Sequence, residues 1–179
     1  DTSTNDMALI FASGKANNAS IQSGSSIYQT FVNKLTELCL SLAHKIVLDG
    51  EGATKFVTIC VKGAKAKIHA HRIALSVATS SLVKTALFGQ DPNWGRIISA
   101  VGCAGVSINL KKVKILLNGS LLFKNGTPTR NASQLTLRKN MARKDIVIVI
   151  ELGIGSHSDV VYTCDLSYDY VRINADYTT

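Results

Sequence analysis

The stretch Asp49-Gly50-Glu51-Gly52-Ala53-Thr54-Lys55 marks a change of period that constrains the fold more than any other feature of the chain. Before it, Ile27, Phe31, Leu35, Leu38, Leu42 and Ile46 recur at three- and four-residue steps. That spacing predicts an amphipathic helix reaching Leu48, ended by Gly50. After it, Phe56-Val57-Thr58-Ile59-Cys60-Val61 predicts a strand. A carboxylate between two glycines therefore falls on a tight turn between helix and strand. Backbone can approach a ligand closely there, because glycine has no Cβ in the way, and functional residues often sit on loops held by a rigid scaffold. The same pattern also suits a helix C-cap followed by a polar connection.

The remaining periodicities mix helices and strands without regular βαβ alternation. Met7–Ala12 reads as a short buried strand or the start of a helix, and residues 13–26 as a Gly/Ser/Asn-rich loop. Ala66 to Phe88 reads helical, with Ile68, Ile73, Val77, Leu82 and Leu87 as core candidates and an interruption at Thr79-Ser80-Ser81. Another helix starts at Arg96. Asn118-Gly119 between two apolar runs is a hairpin signature, since both turn positions accept positive φ, and Asn125-Gly126 adds a second turn. Gln134 to Arg143 reads as a helix, and Asp145–Leu152 and Val160–Asp165 as strands. The expected class is α+β. The length of 179 residues suits one domain, or one domain with a small subdomain.

A net charge of +8 raises a nucleic-acid-binding module as one function class. Lys111, Lys112, Lys114, Lys124, Arg130, Arg138, Lys139, Arg143 and Lys144 form a basic run without an acid. Phe123 is its lone aromatic, so a stacking platform for single strands is missing, and a solvated face is the simpler reading. Cys39, Cys60, Cys103 and Cys164 form no CxxC pair and read as reduced, buried thiols of a cytoplasmic protein. His69 and His71 fall on different faces of a helix, a poor geometry for a metal. No GxGxxG occurs, and no apolar run approaches the roughly 18 residues of a membrane span.

The chain end, Cys164 to Thr179, is rich in strand formers and acids, and Tyr168 to Ile173 reads as a docked strand. Together with Asp1-Thr2-Ser3-Thr4-Asn5-Asp6, Asp49 to Lys55 and Phe88-Gly89-Gln90-Asp91-Pro92-Asn93-Trp94-Gly95-Arg96, it carries a resemblance. From Asp1 to Thr179, and least between Val106 and Ile146, the chain resembles the β-chain of the ornithine acetyltransferases. These are the bifunctional glutamate N-acetyltransferases of arginine biosynthesis. The resemblance implies an α/β/β/α sandwich with a smaller α/β subdomain, expected within residues 76–145, and makes residues 1–179 the C-terminal part of that fold.

It also implies an enzyme that moves acetyl from N2-acetyl-L-ornithine to L-glutamate, with acetyl-CoA a co-substrate of some members and no other cofactor. The family's nucleophile is a threonine exposed by self-cleavage, whose α-amino group serves as base. Neither Thr2 nor Thr4 matches its context, so the threonine is expected upstream of Asp1, and this chain alone is expected to be inactive. The implied partner is the α-chain of the same precursor, in an α2β2 assembly. The implied substrate-binding residues are Glu51, Asn174 and Thr179. Read from residues alone, Asn174 also suits a turn and Thr179 a frayed end. Lys55 suits either a restraint on Glu51, four residues away, or a solvated lysine. A self-processed aminopeptidase or amidohydrolase of the same fold is the alternative.

Overall fold

The computed structural model describes residues 7–129 and 133–176. Its helices are α1 (Ser26–Leu48), α2 (Lys67–Ala78), α3 (Ser81–Phe88), α4 (Trp94–Gly102), α5 (Gln134–Met141) and α6 (Tyr168–Asp176). Its strands are β1 (Phe56–Ala64), β2 (Lys114–Leu117), β3 (Ser120–Lys124), β4 (Thr127–Pro128), β5 (Asp145–Glu151) and β6 (His157–Cys164). The chain divides into two compact units at Ile46 and Val47. Among the described residues, no helix is long and apolar enough to cross a membrane.

In the first unit, Met7–Ala12 is neither strand nor helix but exposed irregular chain, with Ile10 and Phe11 fully in solvent. No strand of the described residues pairs with it. Helix α1 forms where its period predicts; along its stripe Ile27, Phe31, Leu38, Leu42 and Ile46 are exposed and Leu35 is half-buried.

The second unit is built on one sheet of order β4-β3-β2-β5-β1-β6. β1 and β5 run parallel and the other neighbours antiparallel. The class is α+β, as expected. On one face Val57, Ile59 and Val61 of β1, Ile146, Ile148 and Ile150 of β5, and Ile115 and Leu117 of β2 are buried. They form one core with Ile73 and Val77 of α2, Val83 and Leu87 of α3, and Ile97 and Val101 of α4. Trp94 stacks on Phe123, ring centroids 5.4 Å apart, which ties α4 to the hairpin. Ile68 and Leu82, both expected in the core, face solvent instead. The period-2 alternation leaves the other face to Thr58, Cys60, Leu116, Val149, Val147 and Val160. Within the second unit Val147 and Val160 are each 40% exposed, and Thr58, Cys60, Leu116 and Val149 are half-buried.

Local chemistry explains the element ends. Ser80 interrupts the helical run and caps α3 by accepting from Val83 N, and Asn93 caps α4 through Arg96 N. Asn118, at φ 45°, turns the β2–β3 hairpin. Its side chain accepts from Val147 N at 2.8 Å and donates to Asn140 O at 3.1 Å, joining the turn to β5 and α5. The chain end departs from expectation: Tyr168 to Ile173 lies in helix α6, not in a strand. Ser167 Oγ accepts from Tyr170 N at 3.3 Å in the manner of a helix cap. Asp169 and Arg172 pair at i, i+3 with a separation of 3.0 Å. These local bonds override the strand propensity of the Tyr and Val residues.

Candidate functional site

β1 and β6 are antiparallel, with Phe56 opposite Cys164. The residues before β1 and those after β6 therefore emerge at the same end of the sheet, although more than a hundred positions separate them. Asp165, buried just beyond β6, binds the chain entering β1. One of its carboxylate oxygens accepts from Thr54 N at 2.8 Å and Lys55 N at 2.9 Å, and the other accepts from the Thr54 hydroxyl. Three donors on one buried carboxylate offset its loss of water. Two residues on, Ser167 Oγ donates to Gly52 O at 2.6 Å.

Gly52 has φ +64°, and a Cβ there would lie 2.7 Å from both Ser167 Oγ and Tyr170 N. Glycine is thus required at this position for conformation and for space. The turn that carries Glu51 is clamped to the start of α6, and Phe88 packs edge-on against Tyr168 at 5.2 Å on that helix's first turn.

This clamp brings two of the three expected site residues together. Asn174, two turns into α6, donates from Nδ2 to Glu51 Oε2 at 2.7 Å and to Tyr170 O at 2.9 Å. Both amide protons are engaged, which leaves Asn174 Oδ1 as an acceptor beside the Glu51 carboxylate. The reversed amide would set oxygen against a carboxylate. Both side chains lie at the surface. The pair therefore presents acceptors only, an arrangement suited to an ammonium. Thr179 and the motif Asp1 to Asp6 lie outside the described residues, as does Arg130.

Lys55 neither restrains Glu51 nor meets solvent. It is 7% exposed, and its Nζ donates to Met141 O at 2.8 Å and Arg143 O at 3.2 Å, closing the C-terminus of α5. An open pocket beside the turn is lined by Ala53, Thr54, Phe56, Lys144 and Asp145, with Lys55 and Leu48 at its wall. The described residues of the basic run are exposed, and Lys114 pairs with Glu151 at 3.1 Å. Of the four cysteines, all free, Cys164 is buried, Cys60 is half-buried, and Cys39 and Cys103 are exposed, which corrects the expectation of uniform burial. His71 Nδ1 lies 2.7 Å from Asp159 Oδ2 on β6.

Fold and site together define an α+β protein whose candidate ligand-binding turn precedes β1 and is locked by the segment after β6. The chain belongs to the ArgJ family, whose sequence profile matches residues 1–179. It is 46% identical over 177 residues to the arginine biosynthesis bifunctional protein ArgJ of Desulfotalea psychrophila, covering 99% of this chain and 45% of that protein. It is 44% identical to the protein of the same name from Geobacter sulfurreducens, covering 100% of this chain and 46% of that one. The crystal structure of the arginine biosynthesis bifunctional protein ArgJ from Bacillus halodurans superposes with a TM-score of 0.91 at 38% identity, covering 99% of this chain and 83% of that chain. The chain thus spans about half the length of the curated relatives it matches.

Proposed function

We propose that this chain is the substrate-pocket part of an acetyltransferase of arginine biosynthesis, one that moves acetyl from N2-acetyl-L-ornithine to L-glutamate. The observation that carries this reading is the Glu51–Asn174 pair on a turn fixed by Asp165 and Ser167. Both amino acids bear an ammonium, and the pair offers a carboxylate and an amide oxygen to receive one. Family membership supports the reaction class.

The nucleophile is a threonine at the start of the complete processed chain. Its hydroxyl adds to the acetyl carbonyl, and its proton passes by way of the threonine's own amine to the departing amine of ornithine. The glutamate amine, in its neutral form, then attacks the acetyl-threonine carbonyl; the acetyl–oxygen bond breaks, and the amine's proton passes by way of the threonine's own amine to the freed threonine oxygen. In both half-reactions Glu51 and Asn174 hold the amino acid, and the clamped turn keeps their geometry through the exchange. The family resemblance assigns Thr179 to the same substrate. Thr179→Ala should weaken amino-acid binding by about three- to tenfold, the range of one neutral hydrogen bond; equal affinities of the two proteins would place the terminus elsewhere.

The α-chain of the same precursor is the partner, in an α2β2 assembly in the cytoplasm. Two features support it: apolar residues left partly exposed on one face of the sheet, Val147 and Val160 among them, and a chain that spans about half the length of the curated relatives it matches. A second sheet stacked about 10 Å away would cover that face and make the four-layer sandwich.

The test is acetyl transfer from N2-acetylornithine to glutamate by the complete processed protein, with residues 1–179 assayed alongside. The complete protein should transfer acetyl and the shorter chain should not. Hydrolysis of N2-acetylornithine without glutamate acceptance would support an amidohydrolase in its place, and transfer by the shorter chain would refute an upstream nucleophile.

A further inference from the structure

The motif Phe88 to Arg96 contributes more than the edge-on contact of Phe88. Its residues Gly89, Gln90, Asp91 and Pro92, between α3 and α4, form one wall of an open cleft of about 430 Å³. Leu137 and Arg138 of α5 form the other. That volume lies in the range of small-molecule sites.

Two opposite charges line this cleft without meeting. No ion pair joins Asp91 to Arg138. The Arg138 guanidinium has no partner among the described residues. Asp91 Oδ2 accepts from Asn93 Nδ2 at 2.9 Å, which leaves its other oxygen open. Pro92 and Leu137 are half-buried and supply apolar surface between the charges, Leu137 packing against the core.

Gln90 adds a polar group at a conformational cost. Helix α3 ends with Gln90 N donating to Leu87 O at 3.2 Å and Asp91 N to Ala86 O at 2.9 Å. This Schellman pattern puts the residue at Gln90 in the left-handed region, here at φ 56°, where glycine is the usual choice. Glutamine carries the strain instead. Its carboxamide, which can both donate and accept, has no partner among the described residues and lines the cleft.

We propose that this cleft binds a small zwitterion with an aliphatic side chain. Its ammonium meets Asp91, its carboxylate meets Arg138, and its hydrocarbon lies on Pro92 and Leu137. A simple cation would be repelled by Arg138 and a simple anion by Asp91, whereas a ligand with both charges satisfies both. The site is separate from the Glu51–Asn174 pair. Other residues line the pocket at that turn, and the inference does not depend on what binds there.

The experiment is calorimetric titration of the complete processed protein with three probes. These are L-leucine, isoamylamine, which lacks its carboxylate, and isocaproate, which lacks its ammonium. L-Leucine should bind saturably, and each half-charged probe about fivefold more weakly, the contribution of one ion pair at a surface. Arg138→Gln should remove the advantage of L-leucine over isoamylamine, and Asp91→Asn its advantage over isocaproate. Gln90→Gly relieves the left-handed strain, so it should weaken L-leucine binding without lowering the melting temperature. Glu51→Gln should leave L-leucine affinity unchanged.

Absence of saturable L-leucine binding, equal affinity for all three probes, or full L-leucine affinity in Arg138→Gln would overturn the proposal. A loss of L-leucine affinity in Glu51→Gln would place the ligand at the turn and overturn it as well. Arg138→Gln breaks no side-chain bond among the described residues, so its result decides even if Asp91→Asn does not fold.

Discussion

At the scale of single residues, the site depends on Gly52 and Asp165 as much as on the side chains that face a ligand. Gly52→Ala places a methyl group against the Ser167 hydroxyl and the Tyr170 amide while keeping φ in the left-handed region. We expect a loss of about 1–3 kcal/mol in stability together with weakened amino-acid binding, because the turn and α6 must separate. Thermal unfolding and calorimetric titration of the same preparation measure the two effects; an unaltered melting temperature would show that the turn relaxes freely. Asp165→Asn keeps the volume but turns an amide N–H₂ toward donors that now meet a carboxylate. Loss of a buried charge-assisted network predicts destabilisation by about 2–4 kcal/mol, read from denaturant unfolding. A change below about 0.5 kcal/mol would mean that the three bonds are replaced without strain. Neither Asp165 nor Ser167 stands out in the sequence. Their partners are more than a hundred residues away, and an acid after a strand resembles any loop acid. Glu51 is legible because its flanking glycines and change of period are local.

At the scale of elements, periodicity recovers most of the fold: α1, the break between α2 and α3 at Ser80, β1, the Asn118-Gly119 hairpin, β5 and β6. It fails where composition and local bonding disagree. Tyr168 to Ile173 has strand-forming side chains, but Ser167 caps it, Asp169 and Arg172 pair along it, and Asn174 closes on Tyr170 O. The serine three residues before Tyr170 is the signal that points to a helix. Periodicity places the stripe of α1, and along it Ile27, Phe31, Leu38, Leu42 and Ile46 are exposed. Periodicity reports which face seeks cover, not whether the same chain supplies it. The partly exposed sheet face leads to an element-level test. Val147→Lys should change the stability of residues 1–179 by no more than about 0.5 kcal/mol, as surface substitutions do. In the complete protein it should cost several-fold more, because the charge is buried between sheets. Unfolding midpoints of the two forms, each with and without the substitution, provide the comparison; equal effects would mean that the face stays open to solvent.

At the scale of the whole molecule, the antiparallel pairing of β1 with β6 gives the site its order. It returns the chain end to the turn that opens the sheet and sets Asn174 2.7 Å from Glu51. The central claim is that this pair receives the ammonium of an amino acid. Its most direct test is calorimetric affinity of the complete processed protein for ornithine and for glutamate, with Glu51 intact and as Glu51→Gln. The substitution keeps shape and removes charge. Charge-assisted bonds contribute about 1.5–3 kcal/mol, so a ten- to hundredfold loss of affinity is expected for both ligands with the fold intact. Unchanged affinity for both, in a protein that unfolds at the same temperature, would remove Glu51 from the pocket and contradict the account.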